Sequence, residues 1–162
     1  MKVEGKNGKL PDAKGKRFAV VSARFYPEIA EALEEGARRA LRDCGAEAVD
    51  GFSVPGCFEL PLAVKRVIEK GNYDGAVALG AVVRGDTPHF EFVAGECARG
   101  LMQVQLQTGV PVGFGVLTTE TRAQAEERAD AKRGDKGYEA AIAAATVAVL
   151  GVERETPRVG FR

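Results

Sequence analysis

The residues whose types suggest chemistry are concentrated between Leu79 and Glu91, which read LGAVVRGDTPHFE. Small and β-branched residues up to Val83 predict a strand, and a glycine beside a locally hydrogen-bonding aspartate predicts a turn at Arg84-Gly85-Asp86. We expect Thr87 to be the N-cap of a helix and Pro88 to be its first residue, where no N–H donor is needed. The stretch is therefore predicted to join a strand, a tight turn and a helix start.

Such a helix start offers an anion site, because backbone N–H groups from Gly85 to His89 would converge there without partners. Arg84 lies beside them in the sequence and would add positive charge. His89, the only histidine of the chain, falls in the first turn, and histidine is well suited to moving protons near neutral pH. The pattern predicts an anion cradle beside a proton-transfer group. By position alone, a capping or structural role for His89 is the commoner alternative.

Size and charge limit the classes of protein to which the chain can belong. With 162 residues, 45% of them hydrophobic, it is long enough for one domain with a sizeable core. Its 23 basic side chains are balanced by 23 acidic ones and no long basic run occurs, so we expect no nucleic-acid partner. Any affinity for anions must therefore be local.

The three cysteines, Cys44, Cys57 and Cys97, match neither the paired spacing of zinc ligands nor a CxxC redox pair, so no metal site is expected. The N-terminus lacks the apolar core of a signal peptide, and no apolar run is long enough to span a membrane. We expect a reducing, cytoplasmic setting and no membrane partner. Cys57 is open to a second interpretation, as a low-pKa nucleophile at a helix start, although packing of a small residue is favoured.

Short apolar runs alternate with amphipathic segments, which is typical of a parallel sheet covered by helices. The predicted strands are Phe18–Ala23, Ala46–Val54, Ala76–Val83 and Pro111–Leu117. The predicted helices run from Pro27 to a stop at Gly45, from the turn Pro55–Pro61 to Lys70, from Pro88 to Gln107, onward from the capping box Thr121–Gln124, and from Tyr138 to Leu150. Residues 1–17 are predicted to form an arm outside the core, residues 18–150 the domain, and residues 151–162 a tail.

Ligands of such folds bind beyond the carboxyl ends of the strands. In this chain the predicted strand ends carry Phe25, then Gly56–Glu59, then Arg84–His89, and then Phe114–Thr119. The last predicted helix contains the run AAIAAATVAVL and is apolar on nearly every side. We therefore expect that helix to be buried on most sides and to take part in subunit contacts.

Several segments, in this order and spacing, resemble the 6,7-dimethyl-8-ribityllumazine synthase family. They are ARF (Ala23–Phe25), VPGCFELP (Val54–Pro61), LGAVVRGDTPHFEFV (Leu79–Val93), VPVGFGVLTTET (Val110–Thr121), ERA (Glu127–Ala129) and KG (Lys136-Gly137). The resemblance extends from Phe18 to Leu150. It departs from the family at Tyr26, where many relatives have asparagine, and at Cys57, where alanine or serine is common.

The resemblance implies a flavodoxin-like three-layer α/β/α sandwich with a four-stranded parallel sheet, which the N-terminal arm of a neighbouring subunit can extend. It implies an enzyme that condenses 5-amino-6-(D-ribitylamino)uracil with 3,4-dihydroxy-2-butanone 4-phosphate. The products are 6,7-dimethyl-8-ribityllumazine, phosphate and water, in the penultimate step of riboflavin biosynthesis, without a metal or redox cofactor. The family unit is a pentamer with shared sites, and riboflavin synthase is a candidate partner. The short connection from Ala129 to Lys136 favours a sixty-subunit icosahedral shell.

The resemblance also implies a role for each site residue. Phe25 would stack on the pyrimidine, Glu59 would accept hydrogen bonds from ribityl hydroxyls, and His89 would transfer protons. The same pocket would contain Cys57, Phe58, Ala81, Val82, Val83 and Phe114. The phosphate would be held by Gly85, Asp86, Thr87 and Arg128, and Lys136 would support the site. Phe114 and Arg128 would come from the adjacent subunit.

Each of these residues also has a structural explanation. Phe25 and Phe114 would by default be core aromatics, Glu59 a carboxylate favoured by the helix dipole, and Arg128 a solvated charge. Two other functions are also open. One is a flavodoxin-like protein that binds flavin or a ribityl-pyrimidine without turnover; the other is a structural shell protein with a vestigial pocket, against which the intact motifs argue.

Overall fold

The structure is a computed structural model of the chain, and it describes residues 8–151. Residues 1–7 and 152–162 lie outside the described residues. Those two segments contain the outer part of the predicted arm and nearly all of the predicted tail. The predicted extension of the sheet by the arm of a neighbouring subunit therefore also lies outside the described residues.

Four parallel strands alternate with five helices along the described chain. The strands are β1 (Arg17–Ala23), β2 (Ala48–Val54), β3 (Gly75–Val83) and β4 (Val112–Thr119). The helices are α1 (Pro27–Asp43), α2 (Leu60–Lys70), α3 (His89–Thr108), α4 (Arg122–Ala129) and α5 (Lys136–Ala148), and a 3-10 turn (Cys57–Glu59) precedes α2. The strand order β2-β1-β3-β4 is that of the first four strands of a flavodoxin-like sheet. The predicted three-layer α/β/α class is confirmed.

Helices cover both faces of the sheet, and each face has its own core. Helices α1, α4 and α5 cover one face, where Phe18, Leu33 and Leu79 are fully buried. Helices α2 and α3 cover the other face, where Val21 and Leu60 are fully buried. Because β1 and β3 lie in the middle of the sheet, their successive side chains enter opposite cores. This explains why both strands read as continuous apolar runs.

The predicted element boundaries differ from the observed ones by a few residues. β2 begins at Ala48 rather than Ala46. The predicted stop of α1 at Gly45 is confirmed, since the helix ends at Asp43 and Gly45 has the positive φ of 78° that is typical of a glycine after a helix end. β4 continues beyond the apolar run to Thr119, because it keeps pairing with β3 up to Val83. The predicted capping box is confirmed, since the Thr121 hydroxyl accepts a hydrogen bond from the backbone N–H of the residue three positions later at 3.2 Å.

The inner half of the predicted arm is attached to the domain. Ala13 is fully buried, and its N–H donates to the Cys44 carbonyl at 2.8 Å. Arg17 is the first residue of β1. The prediction that Met1–Arg17 lies outside the core is therefore wrong at Ala13. A single small side chain held by backbone hydrogen bonds gives no hydrophobic periodicity, so the sequence pattern could not reveal it.

Helix α5 begins earlier and is less buried than predicted. It starts at Lys136 rather than Tyr138, so the motif Lys136-Gly137 lies in its first turn. Ala141 and Ala145 are fully buried, whereas Val147 is exposed. The expectation of burial on most sides is not met within one chain, because only one side of this helix faces the sheet. The predicted subunit contacts of α5 stay a prediction.

The buried side of α5 packs on β4 and α1 without room for side chains at two glycines. A Cβ atom at Gly113 of β4 would overlap the carbonyl oxygen of Ala140. A Cβ atom at Gly137 would overlap the carbonyl oxygen of Leu33 on α1. Glycine is therefore required at both contacts by the close approach of the backbones.

This packing predicts the effect of one substitution. Gly113→Ala would push α5 away from β4, and we expect the free energy of unfolding to fall by about 2 kcal/mol, measured by denaturant titration. Gly95→Ala is the matched control, because a Cβ atom there meets nothing within 4 Å and alanine favours a helix. Gly95→Ala should unfold at the same or higher denaturant concentration. Equal stability of the two variants would contradict the packing.

Candidate active site

A cavity of about 620 Å³ opens at the carboxyl ends of β1 and β3, between the 3-10 turn and the start of α3. Its volume is within the range of small-molecule sites. Ten of the predicted site residues line it: Phe25, Cys57, Phe58, Glu59, Ala81, Val82, Val83, Gly85, Thr87 and His89. One subunit therefore brings together an aromatic ring, a carboxylate, the predicted anion-binding turn and the histidine.

Phe25 is presented to this cavity by a network that fixes the end of β1. Glu34 on α1 accepts hydrogen bonds from Ser22 Oγ and from Arg24 Nη2, both at 2.7 Å. The ring of Phe25 is 70% exposed and meets the ring of Tyr26 edge to face, with centroids 5.0 Å apart. An exposed ring that is held from one side is available for stacking on a planar ligand.

Glu59 closes the 3-10 turn and lies in the cavity wall. Its Oε2 accepts a hydrogen bond from the Gly56 N–H at 3.0 Å, which fixes the orientation of the carboxylate. A carboxylate has more acceptor positions than this one bond uses, so it can also accept hydrogen bonds from the hydroxyl groups of a ligand. Phe58, its neighbour, is exposed and adds apolar surface to the same wall.

Cys57 is a packing residue and not an activated nucleophile. Its side chain is 4% exposed, and a Cβ atom at Gly80 of β3 would lie 2.7 Å from its sulfur. Burial, followed by the influence of nearby Cys97, raises the pKa of the Cys57 thiol to about 12. The thiol is therefore protonated at neutral pH and has little thiolate character. The structure favours the packing interpretation of the sequence over the nucleophile.

The turn between β3 and α3 differs by one residue from the prediction. The helix begins at His89, because the ψ of Pro88, 7°, lies outside the helical range although its φ is −69°. No side chain caps this helix start. The predictions that Thr87 is the N-cap and Pro88 the first helical residue are wrong. Gly85 and Thr87 still line the cavity beside His89, whereas Asp86 does not line it. The N–H groups of these three turn residues donate to no backbone acceptor in the described chain.

Arg84 does not supply free positive charge to this turn, contrary to the prediction. Its guanidinium binds the carboxylate of Glu91 on α3 and forms a 2.8 Å ion pair with Glu120, just after β4. Hydrogen bonding to Glu91 and then to Glu120 raises the pKa of Arg84, and Arg84 in turn lowers the pKa of Glu91. Two carboxylates thus compensate the charge of Arg84 within the protein.

Phe114 lies away from the cavity of its own chain. Phe114 belongs to the edge strand β4 and pairs in register with Ala78 of β3. Ala78 is three residues, or about 10 Å along the strand, from Ala81, which lines the cavity. Its side chain is 48% exposed. Phe114 is therefore open to contact by another molecule, and it does not contribute to the pocket within one subunit.

Arg128 and Lys136 are also separate from the cavity. They belong to α4 and α5, which cover the face of the sheet opposite to α2 and α3. Arg128 is exposed and its Nη1 donates to the Gln124 carbonyl at 3.1 Å, while Lys136 Nζ pairs with Glu139 at 2.6 Å. The single chain thus divides the predicted site residues into a cavity group and a separate group.

Three cavity residues on α3, Phe90, Phe92 and Val93, were not predicted as site residues. Phe92 and Val93 are three and four positions after His89, a spacing that places side chains on the same side of a helix. That spacing could have identified them once the helix start was known. Tyr26 also lines the cavity, so one departure from the family pattern lies within the site.

The groups in the cavity suit acid–base chemistry on a planar, hydroxylated ligand and a phosphorylated one.

Within residues 8–151, no cluster of three or more histidine, cysteine, aspartate or glutamate side chains could hold a metal ion. In the same residues, no helix combines the length and apolar character needed to cross a membrane.

Comparison with models of protein families identifies the family of the chain. A family model described as 6,7-dimethyl-8-ribityllumazine synthase matches residues 15–151. The matched range is well over half of the chain, and it includes every cavity residue as well as Phe114, Arg128 and Lys136. This match and the three-layer parallel fold agree with the motifs. The chain belongs to the 6,7-dimethyl-8-ribityllumazine synthase family.

Proposed function

We propose that this enzyme condenses 5-amino-6-(D-ribitylamino)uracil with 3,4-dihydroxy-2-butanone 4-phosphate to give 6,7-dimethyl-8-ribityllumazine, phosphate and water. Family membership supports a transferase of riboflavin biosynthesis. The observation that carries the choice of substrates is the composition of the cavity at the carboxyl ends of β1 and β3. It combines an exposed ring, a fixed carboxylate, an N–H-rich turn and the only histidine of the chain.

The pyrimidine substrate fits the wall formed by β1, the 3-10 turn and the end of β3. Phe25 would stack on the ring, and the apolar side chains of Phe58 and Val82 would enclose it. Glu59 would accept hydrogen bonds from the ribityl hydroxyls, because its orientation is already fixed by the N–H of Gly56. Two substrates held side by side in this way gain rate from proximity and orientation alone.

The phosphorylated substrate fits the turn that precedes α3. The N–H groups of Gly85, Asp86 and Thr87 and the positive end of the helix dipole would bind its phosphate. The reaction joins an amine to a ketone, expels the phosphate, and closes and dehydrates a ring, so protons must move at each stage. His89, which lines the same cavity, would take up and return those protons.

In the part of the chain that the structure describes, the cavity offers N–H donors to a phosphate but no cationic side chain. Among the described residues, the fifteen that line it include neither lysine nor arginine, and the charge of nearby Arg84 is compensated by carboxylates. Developing negative charge on a leaving phosphate is best stabilised by a cation such as a bidentate guanidinium. The exposed Arg128 is the residue to which the family assigns this role, and it would have to come from a second subunit.

We therefore propose a homo-oligomer in which Phe114 and Arg128 of the adjacent subunit complete each site, with Lys136 in support. Head-to-tail contacts of this kind close into rings, and a pentamer is the ring that the family implies. The connection between α4 and α5, residues 130–135, is short, which favours a sixty-subunit icosahedral shell. Riboflavin synthase, which would consume the product, is the proposed partner, and the cytoplasm the proposed location.

The first test of the reaction mixes the purified protein with both substrates and follows lumazine absorbance together with phosphate release. We expect both signals to rise together, faster than in the uncatalysed mixture. His89→Ala should reduce kcat by about 100-fold, because a general acid–base group is lost, while the affinity for the pyrimidine substrate is retained. Pyrimidine binding without faster phosphate release in the wild-type protein would instead identify a binding protein.

Arg128→Ala tests the assignment of the phosphate ligand. Loss of a charge-assisted contact should raise the KM for the phosphorylated substrate by about tenfold or more and leave the KM for the pyrimidine substrate nearly unchanged. Arg133→Ala is the matched control, because Arg133 is an exposed arginine of the same region that pairs with Asp130. Equal KM values in the two variants would remove Arg128 from the phosphate site.

A further inference from the structure

The helix that carries His89 begins without the side-chain cap that commonly stabilises a helix start. Its N-cap position is Pro88, which has neither an N–H group nor a side-chain oxygen. The preceding turn, residues 85–87, is exposed. Another contact must therefore fix the direction in which the first turn of α3 presents its side chains.

Arg84 contacts this first turn in two places. Its Nη1 binds the carboxylate of Glu91, and its Cζ lies 4.3 Å from the ring centroid of Phe90. Both residues directly follow His89 in the helix. Phe90 also packs against the core beneath α3, so the guanidinium and the core both hold this ring.

Arg84 is itself fixed to the end of β4. Its N–H donates to the Thr119 carbonyl at 2.9 Å, which continues the pairing of Val83 with Thr119. Its Nε binds Glu120 at 2.8 Å, immediately after that strand. The planar guanidinium, which can bind two carboxylates and stack on a ring at once, therefore ties the start of α3 to the end of β4.

We infer that Arg84 is a positioning residue, which holds the first turn of α3 through Glu91, Glu120 and Phe90 so that His89 faces the substrates. The inference rests on the proposed lumazine synthase reaction. It assigns Arg84 to the orientation of the proton-transfer group and not to the phosphate, because both polar partners of Arg84 are already carboxylates.

The contacts of Arg84 are suited to control geometry more than stability. The side chains of Arg84, Glu91 and Glu120 are 38%, 53% and 64% exposed, and exposed ion pairs contribute little to the stability of a fold. A displacement of a catalytic group by about 1 Å, in contrast, can lower a rate by about 100-fold. Variants of Arg84 should therefore fold normally and turn over slowly.

The test compares Arg84→Met, Arg84→Lys and Glu120→Gln with the wild-type enzyme. Lys65→Met is the control, because it removes an exposed ion pair with Glu69 on α2, away from the site. Steady-state kinetics give kcat and the KM for each substrate, and thermal unfolding gives Tm. Hydrogen–deuterium exchange with mass spectrometry reports the protection of amides in the first turns of α3.

We expect kcat to fall by about 10- to 100-fold in both Arg84 variants, with Tm close to that of the wild type. Amides at the start of α3 should exchange faster in both variants, because lysine keeps the charge but lacks the planar fork. Lys65→Met should behave like the wild type. An Arg84→Lys variant with the wild-type kcat would overturn the inference.

Glu120→Gln distinguishes positioning from phosphate binding by its effects on kcat and on the KM for the phosphorylated substrate. A lower kcat with an unchanged KM for the phosphorylated substrate would support positioning. A lower KM for that substrate would overturn it, because release from Glu120 would then have freed Arg84 to bind phosphate.

If the wild-type protein forms no product, the proposed function fails separately. In that case, unchanged hydrogen exchange at the start of α3 in Arg84→Met would overturn the positioning role, and faster exchange would support it.

Discussion

The burial of β3 between two strands and two layers of helices fixes the position of almost every group in the pocket. Its pairing with β1 brings the strand end that carries Phe25 beside Ala81 and Val82. Its Gly80 leaves the space that the Cys57 sulfur fills. Because these groups are attached to a buried strand and its neighbours, their mutual distances are held by the core itself, as precise positioning of substrates requires.

The cavity is formed within one subunit, but the described residues that line it include no cationic side chain. The cavity has apolar walls, a fixed carboxylate and N–H donors, but the nearest arginine is bound to Glu91 and Glu120. The exposed ring of Phe114 and the exposed guanidinium of Arg128 lie elsewhere on the same chain. Within residues 8–151, the cavity of one subunit therefore lacks a cation that the same chain exposes elsewhere. In the oligomer that we propose, a neighbouring subunit would supply this cation and the ring of Phe114, and assembly would be a condition for catalysis.

The sequence predicted the features that depend on local patterns. Alternating apolar and amphipathic segments give the order of strands and helices, and the motifs at the strand ends place ten residues in one cavity. Two predictions failed because they depend on contacts between distant residues. The ion pair of Arg84 with Glu120 crosses from one strand end to the next, and the burial of Ala13 depends on the carbonyl of Cys44. The start of α3 was misplaced because the residue pair Thr87-Pro88 suits an N-cap locally, whereas the conformation of Pro88 excludes it.

The central claim is that residues of two subunits form each site, and complementation between impaired variants tests it most directly. His89→Ala and Arg128→Ala chains would be unfolded together and refolded as a mixture. Lumazine formation would be assayed with the phosphorylated substrate well below its KM, where loss of Arg128 lowers the rate. If His89 acts with Arg128 of a neighbour, random mixing should restore about a quarter of the wild-type sites, although neither variant alone is active at that level. Activity no greater than the average of the two variants, in oligomers shown to contain both chains, would contradict a shared site.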